Sequence, residues 1–106
     1  MPTVIIGIMI NSFYDQGTED IYNGIDSKLA RKICPKDVWR IACRELDQIN
    51  KVNFLTELNI PPGNRLECLY GKREGQYSIR INDQFRVCFY WENNNAEQVE
   101  ITDYHK

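Results

Sequence analysis

The segment Gly71–Trp91, which reads GKREGQYSIRINDQFRVCFYW, decides how the rest of the chain must fold. Apolar residues alternate with polar residues in both of its halves, which is the pattern of strands that bury one face. Only the turn-prone triplet Asn82-Asp83-Gln84 separates the two halves. Two strands joined by so short a loop predict an antiparallel hairpin. Its apolar face consists of Tyr77, Ile79, Ile81, Phe85, Val87, Phe89 and Trp91.

The opposite face of this hairpin carries positive charge. Arg80 and Arg86 lie on it, and Lys72 and Arg73 precede it in a glycine-flanked turn. Guanidinium groups bind phosphate bidentately and stabilise the charge of a phosphoryl transition state. A strand face with two arginines is nevertheless more often a solvated surface than a site, so these residues alone leave the function open.

Two helical regions precede the hairpin. Residues 16–32 have helical spacing that is interrupted by Asn23-Gly24, which predicts one or two short helices, with Ser27 as an N-cap. Pro35 suits the first turn of a helix. Apolar residues then recur three and four positions apart over residues 36–51, and this is the clearest helix in the sequence.

Three further segments lie beside the hairpin in sequence. Residues 61–64, PPGN, predict a rigid loop, and residues 65–70 predict a short strand. A last strand over residues 98–102 turns Val99 and Ile101 to the core. If the sheet pairs in sequence order, its other face joins the two arginines, and the residues on it are Glu100, Thr102 and Tyr104.

The N-terminus predicts one more strand, from Val4 or Ile8 to Phe13. An alternative interpretation is that translation begins at Met9 and that residues 1–8 form an N-terminal extension. The predicted fold is therefore a single α+β domain over residues 1–106, with its core from Met9. In this fold an N-terminal strand and two helices pack on one face of a curved antiparallel sheet.

Composition excludes few function classes. The chain has 106 residues, 42% hydrophobic and 26% charged, which suits an enzyme or a binding module equally. A net charge of -2 argues against a protein that coats nucleic acid non-specifically. The four cysteines form no Cys-x-x-Cys pair and there is one histidine, so we predict no metal site. The apolar residues 1–10 are a poor signal peptide and too short to span a bilayer, so we expect a cytoplasmic protein with reduced thiols.

The C-terminal run Asp103-Tyr104-His105 adds chemistry that arginines lack. Tyr104 can stack on an unpaired RNA base, as aromatic side chains do. His105 is the one side chain here suited to giving or taking a proton near neutral pH.

From Ser12 to His105 the sequence resembles the HigB-type toxins of the RelE/ParE superfamily, the killer proteins of bacterial toxin–antitoxin modules. The resemblance covers nearly the whole chain and favours Met9 as the natural start. The matching segments are Ser12-Phe13, residues 17–24 (GTEDIYNG), residues 61–67 (PPGNRLE), residues 75–86 (GQYSIRINDQFR) and residues 99–105 (VEITDYH).

This resemblance implies a ribosome-dependent mRNA endonuclease, in which the RNA's own 2′-hydroxyl attacks the adjacent phosphate without a metal or cofactor. By position, Arg86 is the phosphate-stabilising arginine. Tyr104 is assigned to base stacking or proton abstraction, His105 to protonation of the leaving 5′-oxygen, and Asp103 to orienting one of them. Face geometry rather than resemblance adds Arg80, and we expect the substrate-binding residues to be Lys72, Arg73 and Arg80.

The resemblance also implies partners: a cognate helix-turn-helix antitoxin, the ribosome and mRNA, with operator DNA contacted only through the antitoxin and no membrane. One departure from the family pattern is Tyr70, which stands where many relatives have lysine, although Lys72 is a candidate substitute. Two alternatives therefore stay open, a non-hydrolytic ParE-like poison of DNA gyrase and a catalytically weak antitoxin-binding module. The intact Asp103-Tyr104-His105 run favours the nuclease.

Overall fold

The structure, a computed structural model, describes residues 10–104. Three α-helices precede a four-stranded antiparallel sheet whose strands lie in sequence order. The helices are α1 (Gln16–Tyr22), α2 (Lys28–Ile33) and α3 (Lys36–Lys51). The strands are β1 (Glu67–Cys68), β2 (Gln76–Arg80), β3 (Phe85–Glu92) and β4 (Asn95–Asp103). No helix within residues 10–104 is long and apolar enough to cross a membrane.

The α+β class is confirmed, and residues 16–32 form two short helices, so the described chain has three helices rather than the two of the predicted fold. Two separate caps explain the division of residues 16–32. Asp15 accepts a hydrogen bond from the Thr18 amide at 2.7 Å and starts α1, and Ser27 accepts one from the Ala30 amide at 3.0 Å and starts α2. Between them Gly24 has φ +75°, a left-handed conformation that ends the first helix.

The expected N-terminal strand is wrong for the part that the structure describes. Residues 10–13 run parallel to β4 but form only two isolated bridges, Ile10 to Ala96 and Phe13 to Val99. The reason is a bulge in β4, where Cys88 pairs with Glu100 but Tyr90 pairs with Glu97, and Gln98 has φ 51°. The bulge breaks the ladder that a continuous strand would need. Residues 1–9, with the beginning of the expected strand and the suggested extension, lie outside the described residues.

The sheet register confirms the two predicted faces of the hairpin. Ile79 lies opposite Val87, which lies opposite Ile101, and all three are buried in one core. The apolar stripe of α3 belongs to the same core, through Val38, Ala42, Leu46 and Ile49. On the other face Arg80 lies opposite Arg86, which lies opposite Thr102. The two arginines therefore lie side by side on the face of the sheet opposite the core.

The connector before β1 contains regular turns where the sequence predicted a rigid loop. It contains the 3₁₀ turns Leu55–Asn59 and Pro62–Asn64, and the strand expected over residues 65–70 is only two residues long. Asn64 is buried and donates to Gln48 Oε1 and the Leu58 carbonyl, both at 2.9 Å. These bonds anchor the connector to α3 and fix the residue that follows, Arg65.

Glu45 is an acidic side chain in this core. Its residue is 2% exposed, and its Oε1 has no hydrogen-bond partner among the described residues. Burial raises the pKa of Glu45 from 4.5 to about 8, and the charges of Arg44, Arg86 and Arg80 act in the opposite direction. At neutral pH Glu45 is therefore mostly protonated.

We expect Glu45→Gln to stabilise the protein increasingly as pH rises from about 4.5 to about 8. The unfolded chain releases the Glu45 proton in this window while the folded chain retains it, so wild-type stability falls and the variant escapes that loss. The gain should reach about 3 kcal/mol at pH 7. Denaturant unfolding at pH 4.5, 6, 7 and 8 measures it, with the exposed Glu92→Gln as control. A gain that is the same at every pH would contradict the buried-carboxyl explanation.

Candidate active site

Arg86 on β3 is the centre of the polar face and is only 7% exposed. Its Nε donates to Ser78 Oγ at 2.7 Å, and its Nη2 donates to the Arg65 carbonyl at 2.8 Å. Glu67 Oε1 lies 3.8 Å from the same Nη2. A guanidinium has five N–H donors, so three of them make no hydrogen bond within the described chain. Arg86 is therefore held at one edge, and its remaining donors can bind an anion.

The partners of Arg86 follow from local structure. Ser78 lies on the neighbouring strand β2, one pleat along on the same face, and is fully buried. Arg65 caps the Pro62–Asn64 turn in a left-handed conformation, with φ 48°. This conformation, held by the buried Asn64, presents the Arg65 carbonyl to the guanidinium. The PPGN segment thus contributes to the site through a backbone atom.

The end of β4 brings Tyr104 to the same place. The guanidinium carbon of Arg86 lies 5.2 Å from the centroid of the Tyr104 ring, a cation–π contact. The Tyr104 amide donates to the Gln84 carbonyl at 2.7 Å, and Gln84 Nε2 donates to Asp103 Oδ2 at 2.8 Å. The hairpin loop therefore fixes Asp103 and Tyr104 beside Arg86.

A cavity of about 370 Å³ lies at this point, here called the arginine cavity. The residues around it are Arg65, Arg80, Asn82, Asp83, Arg86 and Tyr104. Arg80 pairs with Asp83, which leaves an excess of two positive charges in the lining. Like charges opposite each other on a sheet are unfavourable, so a bound anion would relieve the Arg80–Arg86 repulsion. The arginine cavity is suited to a phosphate group.

The structure places the other predicted residues differently. Arg73 pairs with Glu100 at 3.0 Å and also donates to Gln76 at 3.0 Å, and the hydrogen bond to Glu100 raises the pKa of Arg73 further. Lys72 is exposed in a 3₁₀ turn, and it and Arg73 are absent from the lining of the arginine cavity. Tyr70 is 77% exposed. His105 lies outside the described residues.

Sequence reasoning missed the groups that hold Arg86. In the sequence, Ser78 is one polar residue of an alternating strand, and Arg65 belongs to the predicted short strand and to the matching segment PPGNRLE. The sequence does contain a signal for Ser78. A hydroxyl on the neighbouring strand, two residues from the position opposite an arginine, can accept a hydrogen bond from that arginine, and buried polar groups need such partners. The Arg65 contact uses a backbone carbonyl, which every residue type has, so it leaves no sequence signal.

Comparisons with known proteins show the family to which the chain belongs. The chain matches the family model described as "RelE-like toxin of type II toxin-antitoxin system HigB" over residues 10–105. It is 37% identical over 83 residues to Toxin HigB-1 of Vibrio cholerae serotype O1, an alignment that covers 78% of this chain and 84% of that protein. An uncharacterized protein of Haemophilus influenzae is 35% identical over 67 residues, which is 63% of this chain and 66% of that protein.

A solved structure shares the fold. It is a chain of the heterotetrameric YoeB-YefM toxin-antitoxin complex from Staphylococcus aureus, with a TM-score of 0.50 and 16% identity over 92% of this chain and 98% of that chain. At this identity the likeness concerns the fold alone. The family match over nearly the whole chain and the Vibrio relative show that the protein belongs to the HigB-like, RelE-type toxins of type II toxin–antitoxin systems.

Proposed function

We propose that this toxin is a metal-independent endoribonuclease that cleaves translated mRNA on the ribosome. The reaction is attack of a ribose 2′-hydroxyl on the adjacent phosphate. The observation that supports it best is the guanidinium of Arg86, which is buried, held at one edge by Ser78 and the Arg65 carbonyl, and bordered by a cationic cavity.

In this proposal Arg86 stabilises the negative charge that develops on the phosphate oxygens. As the 2′-oxygen attacks, the nonbridging phosphate oxygens gain negative charge, and donors that are already oriented stabilise it without reorganising. The contacts of Arg86 with Ser78 and Arg65 provide that orientation. Arg80, directly opposite on β2, adds a second positive charge on the same surface.

Proton transfer is assigned to the C-terminal run. The attacking hydroxyl must lose a proton, and the leaving 5′-oxygen must gain one. We assign the second step to His105, with Asp103 orienting it or Tyr104. Because Arg86 occupies one face of the Tyr104 ring, the other face is available to stack on a base, and we assign Tyr104 to stacking or to proton abstraction.

The proposed partners follow from the family and from the charge of the chain. A cognate helix-turn-helix antitoxin would cover this toxin and carry the contact with operator DNA. A net charge of -2 gives weak attraction to bulk RNA, which fits an enzyme of the cytoplasm whose substrate is positioned by the ribosome. No cofactor takes part in this proposal.

One observation favours the alternatives of a ParE-like gyrase poison or a catalytically weak antitoxin-binding module. Tyr70 replaces the family lysine and is 77% exposed, and Lys72 does not line the arginine cavity. The site therefore has no lysine beside Arg86 within the described residues, and proton transfer would depend on the C-terminal run alone.

We expect Arg86→Ala to reduce cleavage at least about 100-fold, because removal of a charge-stabilising donor typically has an effect of this size. Arg86→Lys should also be strongly impaired, since an ammonium keeps the charge but cannot reproduce the fork that contacts Ser78 and Arg65. The measurement is primer extension on a translated message with purified protein, with and without ribosomes. Arg40→Ala, an exposed arginine of α3, is the matched control.

Because Arg86 is buried, its variants must first be shown to unfold cooperatively. Ser78→Ala provides an independent test, since it leaves Arg86 in place but removes the acceptor of Nε, and we expect a lower turnover rate with partial rescue in Ser78→Thr. Wild-type cleavage by Arg86→Lys, or cutting that needs no ribosome, would refute the proposal.

We expect His105→Ala to abolish both cleavage and toxicity, because the leaving 5′-oxygen then has no proton donor. Growth of cells that express the variant measures toxicity, and primer extension on their messages measures cleavage. Lys106→Ala, the adjacent residue, is the control. Full toxicity of His105→Ala without mRNA cleavage would sink the nuclease proposal and favour the gyrase poison, which a supercoiling assay would then test.

A further inference from the structure

A second cavity, of about 380 Å³, adjoins the arginine cavity at Tyr104, which lines both. We call it the carboxylate cavity. It lies between the N-terminus of α1, the end of α2 and the end of β4. The residues that matter for its chemistry are Asp15, Lys32, Ile33, Arg73, Glu100 and Tyr104, and its lining also includes Thr102 and Asp103.

The charge of this cavity is opposite to that of its neighbour. Three carboxylates face two cations, so the lining carries one excess negative charge. The charge of Arg73 is further offset by its ion pair with Glu100. A second phosphate would be poorly bound here, whereas a neutral group that donates hydrogen bonds would be bound well.

Acceptors are available for such a group. Asp15 uses Oδ1 for the Thr18 amide and Glu100 uses Oε1 for Arg73. The second oxygen of each carboxylate accepts no hydrogen bond within residues 10–104. Ribose hydroxyls and the amino groups of bases are donors of the matching kind. The half-buried Ile33 and the Tyr104 ring add apolar surface for the flat face of a base.

We propose that the carboxylate cavity is a nucleoside subsite, which holds the base and ribose next to the phosphate that the arginine cavity binds. The inference rests on the proposed nuclease function. The volume of the carboxylate cavity lies in the range of small-molecule sites, about 300 to 1,000 Å³. Lys32 is exposed at this cavity and has no ion pair in the described part of the chain, so its ammonium can contact the bound nucleotide. The Arg73–Glu100 pair then shapes the wall of the subsite and does not bind phosphate.

The test compares two probes on the purified full-length toxin by amide NMR titration. One probe is inorganic phosphate. The other is a 2′-O-methyl dinucleotide, which carries one phosphate and cannot react because its attacking hydroxyl is blocked. We expect phosphate to shift the amide signals of Arg80, Asn82 and Arg86, and the dinucleotide to shift those of Ile33 and Thr102 as well.

Lys32→Trp places an indole at the carboxylate cavity and removes no side-chain hydrogen bond or ion pair found within residues 10–104. It should weaken dinucleotide binding about tenfold and leave phosphate binding unchanged. Lys28→Trp, on the same helix but outside the cavity lining, is the matched control and should bind both probes like the wild type. Arg86→Ala should weaken the binding of both probes.

Several results would overturn the subsite: no binding of either probe to the wild-type protein, dinucleotide shifts confined to the arginine cavity, or wild-type affinity of Lys32→Trp. The failure of the nuclease proposal looks different. A dinucleotide that occupies both cavities of a toxin that cuts no translated message would refute the nuclease and retain the subsite. Ribosome-dependent cutting by a protein whose carboxylate cavity stays empty would retain the nuclease and refute the subsite.

Discussion

Burial of the Arg86 guanidinium is the constraint on which the rest of the polar face depends. A buried cation is strongly unfavourable unless hydrogen-bond acceptors surround it. Three separate parts of the chain supply the contacts: Ser78 from β2, the Arg65 carbonyl from the connector, and the Tyr104 ring from the end of β4. The connector must therefore turn at PPGN, and the chain must continue past the end of β4 to Tyr104. Both features follow from where Arg86 has to be held.

The protonated state of Glu45 complements this arrangement. An ionised carboxylate in the core would offset part of the positive charge of Arg80 and Arg86, whose charges already act on it. Because burial keeps Glu45 mostly neutral at pH 7, the arginine cavity retains its full excess of positive charge. The repulsion between Arg80 and Arg86 reduces stability, and so does burial of Glu45 Oε1, which has no hydrogen-bond partner within residues 10–104. Unfavourable interactions of this kind are expected where function competes with stability, which supports the proposed phosphate site.

Periodicity predicted much of the fold but not the contacts that complete the site. The alternation in β2 and β3 and the spacing in α3 reflect burial in one core, so they were visible in the sequence, as was the juxtaposition of Arg80, Arg86 and Tyr104. The N-terminal strand was predicted wrongly because the β4 bulge at Gln98 interrupts the pairing of residues 10–13 with β4. The bulge arises from the pairing of β3 with β4, which local sequence does not reveal. Arg73 likewise pairs with Glu100, 27 positions away, and no local pattern reveals that pairing.

The two cavities that meet at Tyr104 differ in charge as the two parts of a nucleotide do. A phosphate needs cationic donors, whereas a base and ribose need neutral surroundings with acceptors and an apolar surface, so one uniform cavity would serve only one of them. With Arg86 on one face of its ring, Tyr104 separates the two environments. A substrate bound across this boundary would have its scissile phosphate fixed relative to one base. In the proposed reaction the ribosome would present the message so that one base and its phosphate reach this boundary together.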